Sequence, residues 1–244
     1  MKAIILAAGR GRRLEQLTET KPKCLLKVKN KSLLCYQLEA LMMAGISEIA
    51  IVTGYLFEKI YHSDISMYFH NPIWYKTNMV YSLTLAKPWL EQTSCIVTYS
   101  DIFYQPNAIF LLMHALTDIA ITYDPNFLAL WEARFKNPLD DLETFKTNEQ
   151  GLLKEIGKKP KNLNEIMGQY MGLIKITPIG WAHIKQTIQR LSLKTFQKID
   201  MTSLLQLLLK NDTPIQCIPY EDIWGEIDYK SDQTLYNADN LFGN

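Results

Sequence analysis

The stretch MKAIILAAGRGRRLEQLTETKPK, residues 1–23, places an apolar strand directly before a glycine-containing basic loop. Residues from Ala3 to Ala8 are apolar without interruption, a pattern typical of a strand covered on both faces in a parallel sheet. Gly9 and Gly11 then let the backbone turn sharply and approach a ligand closely. Five basic residues crowd the same loop, which predicts a phosphate-binding site: Arg10, Arg12, Arg13, Lys21 and Lys23.

Three kinds of phosphate-binding loop can be compared with this stretch. The dinucleotide fingerprint G-x-G-x-x-G fails at its third glycine, where the chain has Leu14, and the Walker sequence G-x-x-x-x-G-K-[ST] does not occur. The third is the L-A-A-G-x-G-x-R-L…P-K signature of the nucleotidyltransferases that make nucleotide-activated sugars and alcohols. The chain resembles this family because it matches the signature in order at Leu6, Ala7, Ala8, Gly9, Gly11, Arg13, Leu14, Pro22 and Lys23.

Composition excludes several classes of protein. The chain has 244 residues, 48% of them hydrophobic, which is enough for one large α/β domain. Its 26 basic and 25 acidic residues give a net charge of +1, which argues against a nucleic-acid partner. No segment has the roughly 18 uninterrupted apolar residues of a membrane span. The four cysteines form no C-x-x-C pair and are typical of reduced thiols in a cytoplasmic protein.

Strand and helix patterns alternate along the chain. This alternation predicts an α/β fold with a Rossmann-like, mostly parallel sheet, helices on both faces, and ligands beyond the carboxyl ends of the strands. We expect a single domain with a nucleotide-binding part at 1–123, a small β-containing acceptor-binding insertion at 124–176, and helices with a metal-binding strand at 177–244. The later strands are predicted at 48–53, 93–100, 118–123, 143–147, 152–156, 169–176 and 215–219, and the helices at 32–45, 54–62, 79–85, 106–116, 178–191 and 200–210.

Asn78 and Ser82 are candidates for binding the nucleoside. An asparagine offers both an amide donor and a carbonyl acceptor, which reading the edge of a base requires. A helix cap is the alternative for Asn78, with Thr77 competing for that position. The resemblance favours the first interpretation, because family members carry an asparagine and a serine here, near the pyrimidine and its ribose.

Acidic residues at two distant positions predict a magnesium site. Asp101 follows an apolar strand and faces the same crevice as the glycine loop, although aspartate is also common at the start of a turn. Glu226 and Asp228 occupy alternate positions in a strand-like run, so their side chains point to one side. Two like charges on one side are costly to hold together without a cation. Mg²⁺ prefers one or two carboxylates together with waters and phosphates. The resemblance implies Mg²⁺ ligands at Asp101 and Asp228, with Glu226 as an additional candidate.

The segment from Asn126 onward supplies candidates for binding the acceptor. Trp131 is either a wall of the pocket or a core aromatic, and Arg134 is either an anion ligand or a solvated charge. A lysine among Lys154, Lys158 and Lys159 would suit an acceptor phosphate. The strand that follows contains two more candidates: Tyr170, and Gly172, which permits close approach.

The resemblance implies a reaction in which an acceptor phosphate attacks the α-phosphorus of a nucleoside triphosphate and pyrophosphate leaves. Backbone N–H groups of the glycine loop would cradle the triphosphate, and Arg13 would stabilise charge on the pyrophosphate. Lys23 would hold the α-phosphate and the attacking oxygen together. Chemistry of this type depends on positioning and charge neutralisation more than on a nucleophilic side chain.

The chain length is similar to that of small cytidylyltransferases, so we expect CTP as the nucleotide. Enzymes that use phosphocholine hold its quaternary ammonium with aromatic rings and a carboxylate. The segments LWEARFKNPLDD and EIGKK…QYMGL are more similar to the cytidylyltransferases of capsule phosphoramidate assembly, which use phosphoglutamine. We therefore expect phosphoglutamine, with phosphocholine or a sugar 1-phosphate as alternatives. A catalytically silent regulatory subunit is the non-enzyme alternative, and assembly as a homodimer is left open.

Overall fold

The structure is a computed structural model that describes residues 1–238 as strands and helices in alternation. The strands are β1 Lys2–Ala7, β2 Lys27–Val28, β3 Lys31–Ser32, β4 Ile49–Thr53, β5 Met67–His70, β6 Cys95–Tyr99, β7 Ile102–Tyr104, β8 Ile119–Asp124, β9 Phe145–Thr147, β10 Leu153–Ile156, β11 Gln169–Ile176, β12 Ile215–Pro219 and β13 Trp224–Glu226. The helices are α1 Leu33–Met43, α2 Met79–Thr84, α3 Lys87–Leu90, α4 Pro106–Met113, α5 Phe127–Arg134, α6 Pro178–Gln189, α7 Leu193–Lys198, α8 Met201–Lys210 and α9 Lys230–Ala238.

Seven strands form the central sheet, in the order β12-β8-β11-β6-β1-β4-β5. Neighbours pair in parallel except at β11, which runs antiparallel to both β6 and β8. Consequently the start of β11 lies at the same edge of the sheet as the ends of β1, β6 and β8. This edge is the one where ligands bind in open α/β sheets.

Strand β1 is covered on both faces, as its uninterrupted apolar sequence predicts. Ile5 belongs to the core on one face, where α1 and α4 pack, and Ile4 belongs to the core on the other face, beneath α2, α6 and α8. The prediction of a mostly parallel sheet with helices on both faces is confirmed. The longest helix in residues 1–238 is α6 with 12 residues, and none is both long and apolar enough to cross a membrane.

The helix predicted from Gly54 to about His62 is wrong. Only one turn of 3-10 helix forms there, at Phe57–Lys59, and strand β5 follows it. Leu56 adopts a left-handed conformation with φ 46°, which an α-helix cannot contain. The Tyr55 hydroxyl donates to the carbonyl of Thr18 at 2.7 Å. Residues 54–59 therefore buttress the basic loop instead of continuing as a helix.

Residues 124–176 contribute to two separate sheets. The strands predicted at 143–147 and 152–156 are present as β9 and β10, and they pair as a small two-stranded sheet. Strand β11, which lies in the same range, instead pairs inside the central sheet with β6 and β8. Helix α5 was not predicted, since its aromatic and charged residues lack a clear apolar stripe. Its Trp131 packs with the core on the α1 side of the sheet.

The four thiols are free and differ in their access to solvent. Cys24, Cys95 and Cys217 are buried, whereas Cys35 is only half-buried. Burial raises the pKa of the Cys24 and Cys95 thiols to about 12, and the reactive species is the thiolate. We expect iodoacetamide at pH 8 to modify Cys35 first in the native protein and all four cysteines in guanidinium chloride, as measured by mass spectrometry. Equal modification of Cys24 and Cys35 in the native protein would contradict the packing described here.

Candidate active site

The glycine loop turns directly off the end of β1 and opens toward a cleft. Gly11 has φ +68°, a left-handed conformation that favours glycine, and a Cβ at this position would lie 3.0 Å from the Lys23 side chain. A Cβ at Gly9 would meet no other atom within 4 Å, so this position faces open space. The guanidinium of Arg10 lies over the Tyr55 ring, 5.5 Å from its centroid. The loop is thereby held against residues 54–59.

Lys23 lies between two carboxylates that are far apart in sequence. Its Nζ donates to Asp101 Oδ2 at 2.7 Å and to Asp228 Oδ1 at 2.5 Å. The guanidinium of Arg13 lies 3.3 Å from the other oxygen of Asp228. The structure therefore brings together Arg13, Lys23, Asp101 and Asp228, four of the five charged residues predicted for catalysis and metal binding.

Ion pairing determines the charge states of Lys23 and Asp228. Burial of the ammonium lowers the pKa of Lys23, but Asp101 and Asp228 outweigh this effect and raise it above the ordinary value. Burial likewise raises the pKa of Asp228, but Lys23 and Arg13 outweigh it, so that this pKa lies below its usual range. Lys23 and Asp228 are therefore both charged near neutral pH.

Asp101 and Asp228 are suitable donors for a divalent cation. Asp101 Oδ1 is buried and has no hydrogen-bond partner, which is unusual for a carboxylate oxygen. Residues 1–238 contain no cluster of three or more histidine, cysteine, aspartate or glutamate side chains placed to hold a metal ion. Two carboxylates nevertheless suffice for Mg²⁺, which completes its coordination with waters and substrate phosphates. The residues present therefore fit a magnesium ion bound together with a nucleotide.

Glu226 has a different partner from Asp228. Its Oε1 accepts from Arg134 Nη1 at 2.5 Å. Burial raises the pKa of Glu226 to about 7, against the opposing effect of Arg134. Strand β13 ends at Glu226, so the alternation that placed Glu226 and Asp228 on one side of a strand does not continue to Asp228. The structure therefore assigns Glu226 to an ion pair beside the site.

One half of the cleft lies between the ends of β1 and β6 and the start of α2, and we name it the nucleotide half after the predicted nucleotide-binding residues that line it. Its empty volume, which includes space open to solvent, is about 640 Å³. Of the seven residues predicted to bind nucleotide, Ala7 is buried in the core. The other six line the cleft, and they are Leu6, Ala8, Gly9, Gly11, Asn78 and Ser82.

Asn78 lines the cleft but its amide is already engaged. Its Oδ1 accepts from the backbone N–H of Met79 at 2.8 Å, at the start of α2, and its Nδ2 donates to the carbonyl of Lys198 at 3.1 Å. The helix-cap alternative is thus realised in the structure. Ser82 Oγ accepts from Asn71 Nδ2 at 3.0 Å. Both side chains shape the wall of the nucleotide half through these contacts.

The other half shares Tyr99 with the first, and we name it the acceptor half after the two predicted acceptor residues that line it. Its empty volume is about 800 Å³. Two of the predicted acceptor residues line it, Trp131 and Tyr170, and Trp131 Nε1 donates to Asp141 Oδ2 at 3.1 Å. Four acidic side chains also line this half, together with the basic Arg13, and they are Asp141, Glu143, Glu226 and Asp228.

The other three predicted acceptor residues lie elsewhere. Arg134 has no exposed side-chain surface because it pairs with Glu226 and Asp232, so the predicted pairing with an acceptor anion is unavailable to it. Lys154 lines a separate groove together with Leu209. A Cβ at Gly172, whose φ is +86°, would lie 2.6 Å from the Tyr99 ring. The close approach that Gly172 permits is therefore to Tyr99, which lines both halves.

Several residues that line the cleft were not predicted. Trp74 and Tyr99 line the nucleotide half, and Glu143, Gln169 and Thr202 line the acceptor half. Trp74 packs against Gly54, where an added Cβ would lie 2.7 Å from the Trp74 Cβ. Gln169 reaches the cleft because β11 runs antiparallel and begins at the carboxyl edge of its neighbours. For Trp74 the sequence held a local signal, because the glycine that it packs against, Gly54, directly follows strand β4. For Gln169 it held none, because the position of this residue depends on the antiparallel direction of β11 in the sheet.

A glycine loop, a lysine and two carboxylates at the carboxyl edge of such a sheet are the parts of a nucleotidyltransferase. The chain belongs to the family of the MobA-like NTP transferase domain, which matches residues 3–161.

Two relatives are similar in sequence. The chain is 38% identical to CTP:phosphoglutamine cytidylyltransferase of Campylobacter jejuni, across 95% of this chain and 97% of that protein. It is 31% identical to 2-aminoethylphosphonate cytidylyltransferase of Lancefieldella rimae, across 44% and 46% of the two chains. Both are nucleotidyltransferases by name, in agreement with the family.

Solved structures show the same fold. The inositol-1-phosphate CTP transferase from T. maritima superposes with a TM-score of 0.77 at 20% identity, covering 96% of this chain and 94% of that one. The CTP:phosphocholine cytidylyltransferase from Streptococcus pneumoniae superposes with a TM-score of 0.72 at 23% identity, covering 97% of each chain. At these identities the likeness concerns the fold alone.

Proposed function

We propose that this protein is a magnesium-dependent cytidylyltransferase that joins CTP to a phosphorylated small acceptor and releases pyrophosphate. The observation that carries the proposal is the position of Lys23, held between Asp101 and Asp228 where the two halves of the cleft meet. The relationship to CTP:phosphoglutamine cytidylyltransferase across nearly the whole chain supports CTP as the nucleotide. Phosphoglutamine is the acceptor that we propose.

In the proposed reaction an oxygen of the acceptor phosphate attacks the α-phosphorus of CTP. A new P–O bond forms there while the bond between the α-phosphorus and the oxygen bridging to the β-phosphorus breaks, and pyrophosphate leaves with that oxygen. The N–H groups of the glycine loop bind the triphosphate, and Arg13 binds the leaving pyrophosphate. Lys23 holds the α-phosphate and the attacking oxygen in line.

Asp101 and Asp228 would hold the Mg²⁺, which neutralises charge on the phosphates when it is bound. Lys23 lies against both carboxylates and therefore keeps two like charges close together before the substrates arrive. Tyr99 lines both halves, and Lys23 in the nucleotide half contacts Asp228 in the acceptor half, so the nucleotide and the acceptor would meet beside Lys23.

The acceptor half supports an acceptor that carries an ammonium group. Asp141 and Glu143 supply negative charge, and Trp131 and Tyr170 supply aromatic faces, a combination that attracts organic cations. Phosphoglutamine has an α-ammonium group and phosphocholine has a quaternary one, so phosphocholine is the second candidate. Arg134 is buried in ion pairs and therefore does not bind the carboxylate of phosphoglutamine. The preference for phosphoglutamine rests on the sequence relationship.

The proposal is tested by pyrophosphate release from purified protein. The assay contains Mg²⁺, each nucleoside triphosphate in turn, and a panel of phosphorylated amino acids, amines and sugars. We expect release with CTP and phosphoglutamine and its loss in EDTA. Release with a sugar 1-phosphate instead would overturn phosphoglutamine as the acceptor, and binding of CTP without release for any acceptor would favour the regulatory alternative.

The pathway that we propose is activation of a cell-surface polysaccharide substituent in the cytoplasm.

Asp141→Asn is expected to raise the KM for phosphoglutamine on the order of tenfold and to leave the KM for CTP unchanged. The asparagine oxygen can still accept the hydrogen bond from Trp131 Nε1, so the substitution removes mainly the charge that would pair with the ammonium group. Initial rates over both substrates measure the effect. Asp140→Asn is the matched control, because the neighbouring Asp140 is exposed and lies outside the acceptor half. A tenfold rise in both variants would contradict the assignment.

A further inference from the structure

A buried carboxylate lies directly behind Asp228. Asp232, in the first turn of α9, has no exposed surface. Its Oδ2 accepts from the backbone N–H groups of both Asp228 and Tyr229, each at 2.8 Å. The preceding residue is anchored as well, since the N–H of Ile227 donates to the carbonyl of Asp101 at 3.0 Å. Hydrogen bonds therefore fix residues 227–229, the turn that presents the Asp228 carboxylate to the cleft.

Arg134 completes this network from another part of the chain. Its Nε donates to Asp232 Oδ1 at 3.1 Å, its Nη2 to Asp232 Oδ2 at 3.3 Å, and its Nη1 to Glu226 at 2.5 Å. The guanidinium also lies over the Trp131 ring, 5.2 Å from its centroid. A planar fork with five donors suits this arrangement, and a lysine would not reproduce it.

The network is too buried to meet a substrate directly. The Arg134 and Asp232 side chains have 0% and 1% of their surface exposed. A pair placed only to stabilise the fold could lie anywhere in the core, and replacing buried pairs by apolar residues is often neutral for stability. Here Asp232 instead accepts a hydrogen bond from the backbone N–H of Asp228, and the Asp228 carboxylate contacts Lys23 and Arg13.

We infer that Arg134 and Asp232 are positioning residues that hold the Asp228 carboxylate in place relative to Asp101 and thereby determine the affinity of the site for a divalent cation. The inference rests on the proposed function, in which these two carboxylates share the metal. Outer hydrogen-bond partners of metal ligands commonly change metal affinity by about 10- to 100-fold. Arg134 and Trp131 both lie on α5, so the network also joins the acceptor half to the metal-binding turn.

The test compares Asp232→Asn and Arg134→Lys with the wild-type protein. The probe is Mn²⁺, whose free concentration is measured by electron paramagnetic resonance in the presence of a non-hydrolysable CTP analogue. We expect both variants to bind Mn²⁺ about 10- to 100-fold more weakly. Their turnover should recover at saturating metal, and their affinity for the CTP analogue without metal should equal that of the wild type. Loss of stability alone would not produce this combination.

Ile184→Ala is the control for lost stability. Ile184 is fully buried in α6, in the core on the other face of the sheet from Trp131, and its truncation should lower the melting temperature without changing the affinity for Mn²⁺. If Asp232→Asn does not fold, Arg134→Lys alone decides. Wild-type affinity for Mn²⁺ in a folded Arg134→Lys or Asp232→Asn protein would overturn the inference. Failure of the wild-type protein itself to bind Mn²⁺ through Asp101 and Asp228 would instead overturn the proposed metal site.

Discussion

Lys23→Met is expected to lower kcat by about 10³-fold, because it removes the only cation that contacts both Asp101 and Asp228 among the ion pairs of residues 1–238. Loss of one well-placed donor to a developing charge commonly lowers kcat by about 10²- to 10³-fold. Here the loss also leaves the two carboxylates without the ammonium group that separates them. Steady-state pyrophosphate release, with CTP and acceptor both saturating, measures the effect.

Two further variants sharpen this prediction. Lys23→Arg keeps the charge but has a different reach and shape, so we expect partial loss of kcat. Lys59→Met removes a lysine whose Nζ donates to the carbonyl of Thr20, at 2.7 Å on the exposed side of the loop, and it should keep nearly full activity. A Lys23→Met protein that is folded by circular dichroism and retains more than a tenth of wild-type kcat would exclude the assigned role of Lys23.

Asp101→Asn should lower kcat/KM by about 10³-fold, a loss that added Mg²⁺ does not restore. The substitution preserves volume but removes the negative charge beside Lys23 and replaces one of the two carboxylate oxygens by an amide NH2 group, which cannot bind a metal ion. Stabilisation of phosphate charge by a metal ion is worth several kcal/mol, which corresponds to about this factor. The measurement is pyrophosphate release as a function of Mg²⁺ concentration.

The control for this variant is Asp222→Asn. Asp222 is an exposed aspartate that accepts a hydrogen bond from Asn107 and lines neither half of the cleft, so its substitution should leave the Mg²⁺ dependence unchanged. If the Asp101→Asn protein reached wild-type rates at high Mg²⁺, Asp101 would only tune the affinity. A rate that did not depend on Asp101 at any Mg²⁺ concentration would remove it from the proposed site.

The first 23 residues determined the class of this protein by themselves. A phosphate loop needs a backbone that turns sharply after a buried strand, and that requirement appears locally as Ala3–Ala8 followed by Gly9 and Gly11. Asp101 was likewise predictable, because a carboxylate directly after an apolar strand lies at the carboxyl edge of a parallel sheet. The match to the family signature then connected the phosphate loop and Asp101 to one type of reaction, nucleotidyl transfer.

Tertiary structure alone decided what each remaining charged side chain contacts. Arg134 was predicted to bind an acceptor anion, but α5 directs its guanidinium to Glu226 and Asp232, which lie more than 90 residues away in the sequence. The engagement of Asn78 with the carbonyl of Lys198 and the placement of Gln169 in the acceptor half also depend on contacts between elements that are distant in the sequence. Local sequence specifies backbone geometry because glycines and apolar runs act on their immediate neighbours. A long charged side chain takes whichever partner the fold brings within reach, and only the assembled sheet determines that partner.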